Sequence, residues 1–304
     1  GDVYKRQIGS LQLKREKNME SRTQKRYNET RGREFCFWFF LSRKERRRRM
    51  DRKLERLQKM IEESRYTVVL SGSGMLAECG TTSLKTQERA YDIEETYGSS
   101  PEYIFTSAYY NTRTEQFFHF YKEEILKKIP EPTESFYVLA EMERAGKLDC
   151  IVTANMFDLC QRAGCTRVID LHGSIYRNRC PHCGKEFDKD YILEAEGVPR
   201  CDVCGTVVRP QLTLFGEMMD SQLVAETAEE IEKADLLILL GTTLSSEVYV
   251  HYVRYFEGRH LVIIHRDPHH SDEKADLVIL KEPREVLPCL KLDGKKEKNQ
   301  GENS

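Results

Sequence analysis

The sequence predicts an α/β fold: a doubly wound parallel sheet with a small metal-held module inserted and a helical module beside it. Three observations predict it. Apolar runs at 66–70, 150–153, 234–240 and 261–264 have the length and composition of strands buried on both faces. The first run leads directly into Ser71-Gly72-Ser73-Gly74 and then into helix-like sequence. Two Cys-x-x-Cys knuckles, Cys180-Pro181-His182-Cys183 and Cys201-Asp202-Val203-Cys204, stand at the separation of a four-thiolate zinc site.

At 304 residues the chain can hold one large domain with a smaller one inserted. The formal charge of −2 argues against a dedicated nucleic-acid binder. It conceals an asymmetry: residues 1–49 carry 16 Lys/Arg against 6 Asp/Glu, leaving 32 against 44 in the remainder. The basic segment lacks sustained periodicity and is read as a disordered or non-native extension. Met50 is the expected natural start, with upstream readthrough or an assembly scar before it. The run 46–49 would otherwise serve as a basic tail for nucleic acid or membrane. Phe35–Leu41 is too short to span a bilayer. Ten cysteines, four of them in the knuckles and six scattered, point to a reduced, cytoplasmic protein.

Taken in order, Leu54, Leu57 and Ile61 fall at helical spacing. Tyr66–Leu70 is the first strand. A strand followed by Gly-x-Gly and a helix opens Rossmann-like folds, where glycine lets backbone amides approach a pyrophosphate. Alone, the Gly72–Gly74 pair fits a tight structural turn equally well. Residues 81–130 form a helical module. Pro101 follows Ser100 at a helix start, and Phe117, Phe118, Phe120 and Tyr121 pack on the next helix. His119 is a structural histidine. Phe136–Arg144 is a helix stopped by Gly146.

Strand 150–153 delivers Ala154-Asn155-Met156-Phe157-Asp158 to its carboxyl end, where open parallel sheets place ligands. Strand 166–171 leads to His172. The insertion 173–215 has too little core of its own and is held by zinc on Cys180, Cys183, Cys201 and Cys204. Four thiolates leave no open position, so that zinc is structural. His182 is exposed. Residues 221–233 form an acidic helix. Strand 234–240 ends in Gly241-Thr242-Thr243-Leu244, strand 261–264 ends at His265, and 275–280 is the last strand. His269-His270 is a solvated loop, and residues 292–304 read as a disordered tail.

The order of these motifs, from Met50 to Leu290, resembles the sirtuin family of NAD-dependent protein deacylases. There a His-Gly pair precedes a four-cysteine module, which is followed by Arg-Pro and Phe-Gly-Glu. This chain has His172-Gly173, then the knuckles, then Arg209-Pro210 and Phe215-Gly216-Glu217. The family's GAGxSxxSGIPDFR is matched at Gly72, Gly74 and Gly80 but not in the PDFR element, where Lys85 replaces arginine. Its TQNIDxLHxxAG is matched at Thr153, Asn155, Leu159, Ala163 and Gly164, while Ala154 stands for the glutamine and Phe157 for the aspartate. Its GTSL becomes Gly241-Thr242-Thr243-Leu244, and His265 replaces an asparagine.

The resemblance implies NAD as co-substrate, held by Gly72, Ser73, Gly74, Gly80, Thr153, Gly241, Thr242, Thr243 and His265. It implies His172 as general base and Asn155 as the group orienting a ribose hydroxyl or water. It implies an acyl-lysine peptide as partner, pairing with the edge Thr213-Leu214-Phe215-Gly216. The implied products are free lysine, nicotinamide and O-acyl-ADP-ribose. A phenyl ring at 157 offers no polar partner, so nicotinamide binding should weaken by about two hydrogen bonds' worth, a few kcal/mol. That departure keeps two other readings open: an NAD- or ADP-ribose-binding sensor, and an NAD glycohydrolase or ADP-ribosyltransferase. The catalytic unit is expected over 50–291.

Overall fold

In the computed structural model of the chain, residues 43–292 are described, apart from 82, 83 and 85. The basic run before residue 43, the aromatic cluster at 35–41, Lys85 and the tail from 293 lie outside the described residues. The described residues fall into two units, divided between Glu55 and Arg56. Helix α1, Arg43–Glu63, begins seven residues before Met50, so the change in composition there coincides with no break in secondary structure. Arg47, Arg48 and Arg49 are exposed on it. No helix among the described residues is long and apolar enough to cross a membrane.

Six parallel strands form the main sheet: β1 Thr67–Ser71, β2 Cys150–Thr153, β3 Val168–Asp170, β7 Leu236–Leu240, β8 His260–His265 and β9 Leu277–Leu280. Their order is β3-β2-β1-β7-β8-β9. The chain therefore winds outward from β1 in one direction, then from β7 in the other. Between β1 and β7 lies the switch point where a crevice opens at the carboxyl edge. Every residue of β1, β2 and β7 is buried, which explains their unbroken apolar runs. One face packs Val68, Leu70, Val152, Leu237, Leu239 and Ile263 with Ile231 and the loop side chains Leu244, Tyr249 and Tyr252.

The amino edge of the sheet is held by aspartates. Parallel strands start with main-chain N–H groups that no neighbour accepts, and burying them unpaired is costly. Asp149, just before β2, accepts the Thr67 N–H of β1 at 2.8 Å. Asp276, just before β9, accepts the Leu261 N–H of β8 at 2.8 Å. Asp235, just before β7, accepts the amides of Arg65 and Tyr66 and the Ser64 hydroxyl at 2.5–3.1 Å. Burial pushes the Asp235 carboxyl up, but these hydrogen bonds outweigh it and leave its pKa below the ordinary value.

The helical module packs aromatics, as expected. Ser100 caps the helix α4, Pro101–Ile104, which follows α2 (Ser73–Ala77) and α3 (Gln87–Tyr97). Phe117, Phe118, Phe120 and Tyr121 are buried, with edge-to-face contacts such as Phe117–Phe118 at 5.5 Å. His119 is exposed and leans on the Tyr97 ring at 5.7 Å. Helix Glu134–Arg144 stops at Gly146, which has φ +61°.

The inserted lobe has a three-stranded sheet, β5-β4-β6, built from β4 Gly173–Arg179, β5 Glu186–Phe187 and β6 Arg209–Leu212. The two knuckles are built alike. Gly184 N–H donates to Cys180 C=O and Gly205 N–H to Cys201 C=O. Each glycine has the left-handed φ that this tight turn requires, +76° and +71°.

Candidate active site

The strands are parallel, so their carboxyl ends share one edge. Gly72 follows β1, Asn155 follows β2, His172 follows β3, Gly241 follows β7, and His265 closes β8. The sheet register sets β1 and β2 side by side, with Ser71 opposite Thr153.

His172 is tied into this edge from both sides. Leu171 N–H donates to Thr153 C=O at 2.8 Å, and Thr213 N–H donates to His172 C=O at 3.1 Å. One residue step therefore links His172 to the strand leading to Asn155 and to the segment Thr213–Gly216. Gly173 is required by contact as well as conformation. A Cβ there would lie 1.9 Å from Gln211 C=O, and its φ is +77°. Asp170 accepts Gln161 Nε2 at 2.9 Å and Arg177 Nη2 at 2.7 Å, fixing the approach to His172.

The loop 154–158 is a folded turn. Asn155 N–H donates to Thr153 Oγ1 at 3.1 Å, and Asn155 Oδ1 accepts Phe157 N–H at 2.8 Å. Met156 C=O accepts Ile175 N–H of β4 at 3.0 Å. The Asn155 amide oxygen is thus committed to the turn, and its NH2 is the group left for a ligand. Phe157 is 5% exposed. Asp158 sits at φ +50°, the sole non-glycine left-handed residue among those described. Burial raises its pKa against a lowering hydrogen bond with Ser174, and Asp170 adds to the rise. A one-turn helix, Leu159–Arg162, then ends in a Schellman motif. Gly164 N–H donates to Gln161 C=O and Cys165 N–H to Cys160 C=O, both at 2.9 Å, with Gly164 at φ +104°.

Gly72 and Gly74 lie against the loop that follows β7. Their N–H groups donate to Leu240 C=O at 2.9 Å and Gly241 C=O at 2.8 Å. A Cβ on Gly72 would lie 2.3 Å from Thr242 Cβ, and one on Gly74 would lie 2.6 Å from Gly241 Cα. These glycines let the loops after β1 and β7 lie backbone to backbone across the switch point. Ser73 and Gly80 are exposed, Gly80 with φ +77° and open space beside it. Thr153 is buried, while Thr242 and Thr243 are half-buried.

His265 is 6% exposed, and its Nε2 lies 3.0 Å from Asp272 Oδ2. His269 is not merely solvated: it is half-buried and caps the turn 270–274, its Nδ1 2.8 Å from Ser271 Oγ.

In the segment Thr213–Gly216 the main chain is partly spent internally. Phe215 N–H donates to Phe105 C=O at 2.9 Å, and Phe215 C=O accepts Ser107 N–H at 3.0 Å. Glu217 clamps the turn, accepting Arg209 Nη2 at 2.5 Å and Leu214 N–H at 2.9 Å. Leu214 is buried; Phe215 and Gly216 are exposed, and Thr213 is half-buried.

Cys180, Cys183, Cys201 and Cys204 place their four sulfurs within 4.8 Å of one another, with 3.4 Å between Cys180 and Cys204 and 3.5 Å between Cys183 and Cys201. A tetrahedron of Zn–S bonds of about 2.3 Å has edges of about 3.8 Å, so the four thiolates fit a closed structural zinc. His182 is exposed beside them.

Sequence reasoning missed Tyr249, whose hydroxyl lies beneath this edge, and the pairing of Phe215 with 105–107. No periodicity or spacing marks either, because both are contacts between segments far apart in sequence.

Comparison with known proteins agrees with this arrangement. The Sir2 family profile matches residues 72–249. A protein from Clostridium acetobutylicum named NAD-dependent protein deacetylase is 36% identical over 239 residues, spanning 78% of this chain and 98% of that protein. One of the same name from Cutibacterium acnes is 38% identical over 225 residues, spanning 74% and 92%. Among solved structures, one described as the structural basis of sirtuin substrate affinity superposes with a TM-score of 0.70 at 27% identity, covering 77% of this chain and 96% of its own. A Sir2 complex with a p53 peptide and NAD+ superposes at 0.66 and 28%, covering 77% and 95%. From the parallel sheet, the four-thiolate lobe and these matches, the chain belongs to the Sir2 family.

Proposed function

We propose that this protein is an NAD-dependent protein-lysine deacylase, moving the acyl group of an acyl-lysine to ADP-ribose with release of nicotinamide. The observation that supports the reading is the double tether of the Leu171-His172 step, Leu171 N–H to Thr153 C=O on one side and His172 C=O to Thr213 N–H on the other. On this reading it joins a base, a cofactor-facing loop and a peptide-facing segment at the carboxyl edge. NAD, when bound, supplies an electrophilic ribose carbon and a leaving nicotinamide. The chain's part is to hold and to move a proton. His172 takes a proton from a ribose hydroxyl; histidine suits this because its ordinary pKa lies near neutrality. The Asn155 NH2 orients that hydroxyl or a water. Gly72, Ser73, Gly74, Gly80, Thr153, Gly241, Thr242, Thr243 and His265 form the cofactor side.

Substrate peptide adds along Thr213–Gly216. Phe215 is already paired with 105–107 and the Thr213 N–H is spent on His172 C=O, so the groups offered are the Thr213 C=O and those of Gly216. Zinc on the four cysteines fastens the lobe that carries this edge. The catalytic unit is 50–291, with 81–130 as its helical module and 173–215 as the insertion. A cytoplasmic setting is part of this reading, supported by the nine described cysteines, none of which is joined in a disulfide.

Mass spectrometry of the purified protein with NAD and a panel of acyl-lysine peptides tests the reading. Deacylation and nicotinamide release that depend on peptide and vanish in His172→Ala are expected. Nicotinamide release without peptide would instead mark a glycohydrolase. The buried Phe157 favours one second reading, an NAD- or ADP-ribose-binding sensor. Activity appearing only in an Ala154→Gln, Phe157→Asp double variant would favour it.

A further inference from the structure

Tyr249 lies in the loop after β7 and is 1% exposed, within the core face of the sheet. Its hydroxyl donates to Ser71 C=O at 2.6 Å and lies 3.4 Å from Val152 C=O. The Ala154 amide is beside the same oxygen. Ser71 immediately precedes Gly72. Val152 immediately precedes Thr153 and the Asn155 turn. The loop carrying Tyr249 begins at Gly241, whose backbone is locked against Gly72 and Gly74. One hydroxyl thus touches the last turns of β1 and β2 from the third loop of the site.

Ser71 and Thr153 are paired in register, so the next rung of a parallel ladder would join Ser71 C=O to the Ala154 N–H. The tyrosine oxygen stands at that rung. It satisfies a strand-end carbonyl that would otherwise be buried without a partner. It also leaves β1 and β2 free to part above it, so that the loops at 72–74 and 153–157 diverge around the crevice.

We propose that Tyr249 is a positioning residue for the cofactor site: its hydroxyl rivets the loops after β1, β2 and β7 in their ligand-ready arrangement. Its function in NAD binding rests on the deacylase reading above; the rivet itself does not. Removing the oxygen alone should loosen the loops while leaving the strands below intact, because the ring continues to fill its place in the core.

The test is Tyr249→Phe in the full zinc-loaded chain, with Tyr252→Phe, also buried, as control. Amide hydrogen exchange should rise at least about tenfold at 72–80 and 153–158 in Tyr249→Phe, with β7 and β8 unchanged; tenfold corresponds to about 1.4 kcal/mol of local opening, within the cost of one lost buried hydrogen bond. KM for NAD should rise at least about fivefold, with KM for the acyl-peptide unmoved. Unchanged exchange at those segments, or an equal rise across all strands, overturns the rivet. Local exchange that rises while the KM for NAD does not move overturns the positioning role. A wild-type chain that binds neither NAD nor ADP-ribose overturns the deacylase reading and the cofactor role with it, and does so without touching the exchange result.

Discussion

Gly173→Ala is the sharpest structural test of how His172 is held. The added methyl would start 1.9 Å from Gln211 C=O, a separation that real contacts do not show below 3.0 Å. Either β6 retreats by about 1 Å or the His172-Gly173 turn rotates away from it. Holding a non-glycine residue at φ +77° costs roughly 1–2 kcal/mol. Forcing two paired strands apart adds roughly 1–3 kcal/mol, as overpacking does elsewhere. The expected loss is about 2–5 kcal/mol, or a fall in Tm on the order of 5–15 °C for a domain this size. Activity should fall further than stability, since a 1 Å displacement near the chemistry can cost about a hundredfold. Thr213 N–H, bonded to His172 C=O, moves with the same strand, so kcat and the KM for peptide should both suffer. Gly197→Ala is the comparison: it has φ +65° but nothing within 4 Å of its would-be Cβ. It bears the conformational cost alone. Thermal melting and nicotinamide release on both variants give the answer. If Gly173→Ala melts within about 2 °C of Gly197→Ala and keeps its kcat, the close approach argued here does not exist in solution.

Elemental analysis should find one zinc per chain, and a strong chelator or Cys204→Ser should expose the 173–215 lobe to protease while lowering Tm; a metal-free preparation with an unaltered melt would refute the thiolate cluster as a structural site. Asp158→Asn should raise the urea midpoint at neutral pH. Burial holds this carboxyl's folded pKa above its unfolded value, so ionising it is a cost that is absent below the ordinary carboxylate range and fully present at pH 7. The gain should therefore shrink toward zero near pH 3, and a gain independent of pH would show that charge is not its cause.

Much of the fold was legible because it rests on local signals. Strands buried on both faces write themselves as unbroken apolar runs, and β1, β2, β7 and β8 emerge within two residues of where the runs place them. The knuckles were legible from ligand spacing. The body of helix α1 was legible from Leu54, Leu57 and Ile61, but its start was not, because Arg-rich sequence before Met50 has no apolar period, although arginine is a good helix former. Gly72 and Gly74 were legible as a turn or phosphate motif, but the close approach of the loop after β7 that they permit was not. A motif specifies that Cβ must be absent but not whether a ligand or a second loop fills the space. The commitment of Phe215 to residues 105–107, the clamp by Glu217 and the reach of Tyr249 to Ser71 are tertiary facts with no local trace.

The aspartates before β2, β7 and β9 bear on how this framework accommodates mutation. Each reaches over to an adjoining strand's opening amides, so deleting one carboxylate unfastens a seam between two segments distant in sequence. At the opposite rim the loops are joined chiefly by main-chain amides, which survive a change of side chain. Substitution among rim residues such as Ala154 and Phe157 can thus retune chemistry while the foundation stays put.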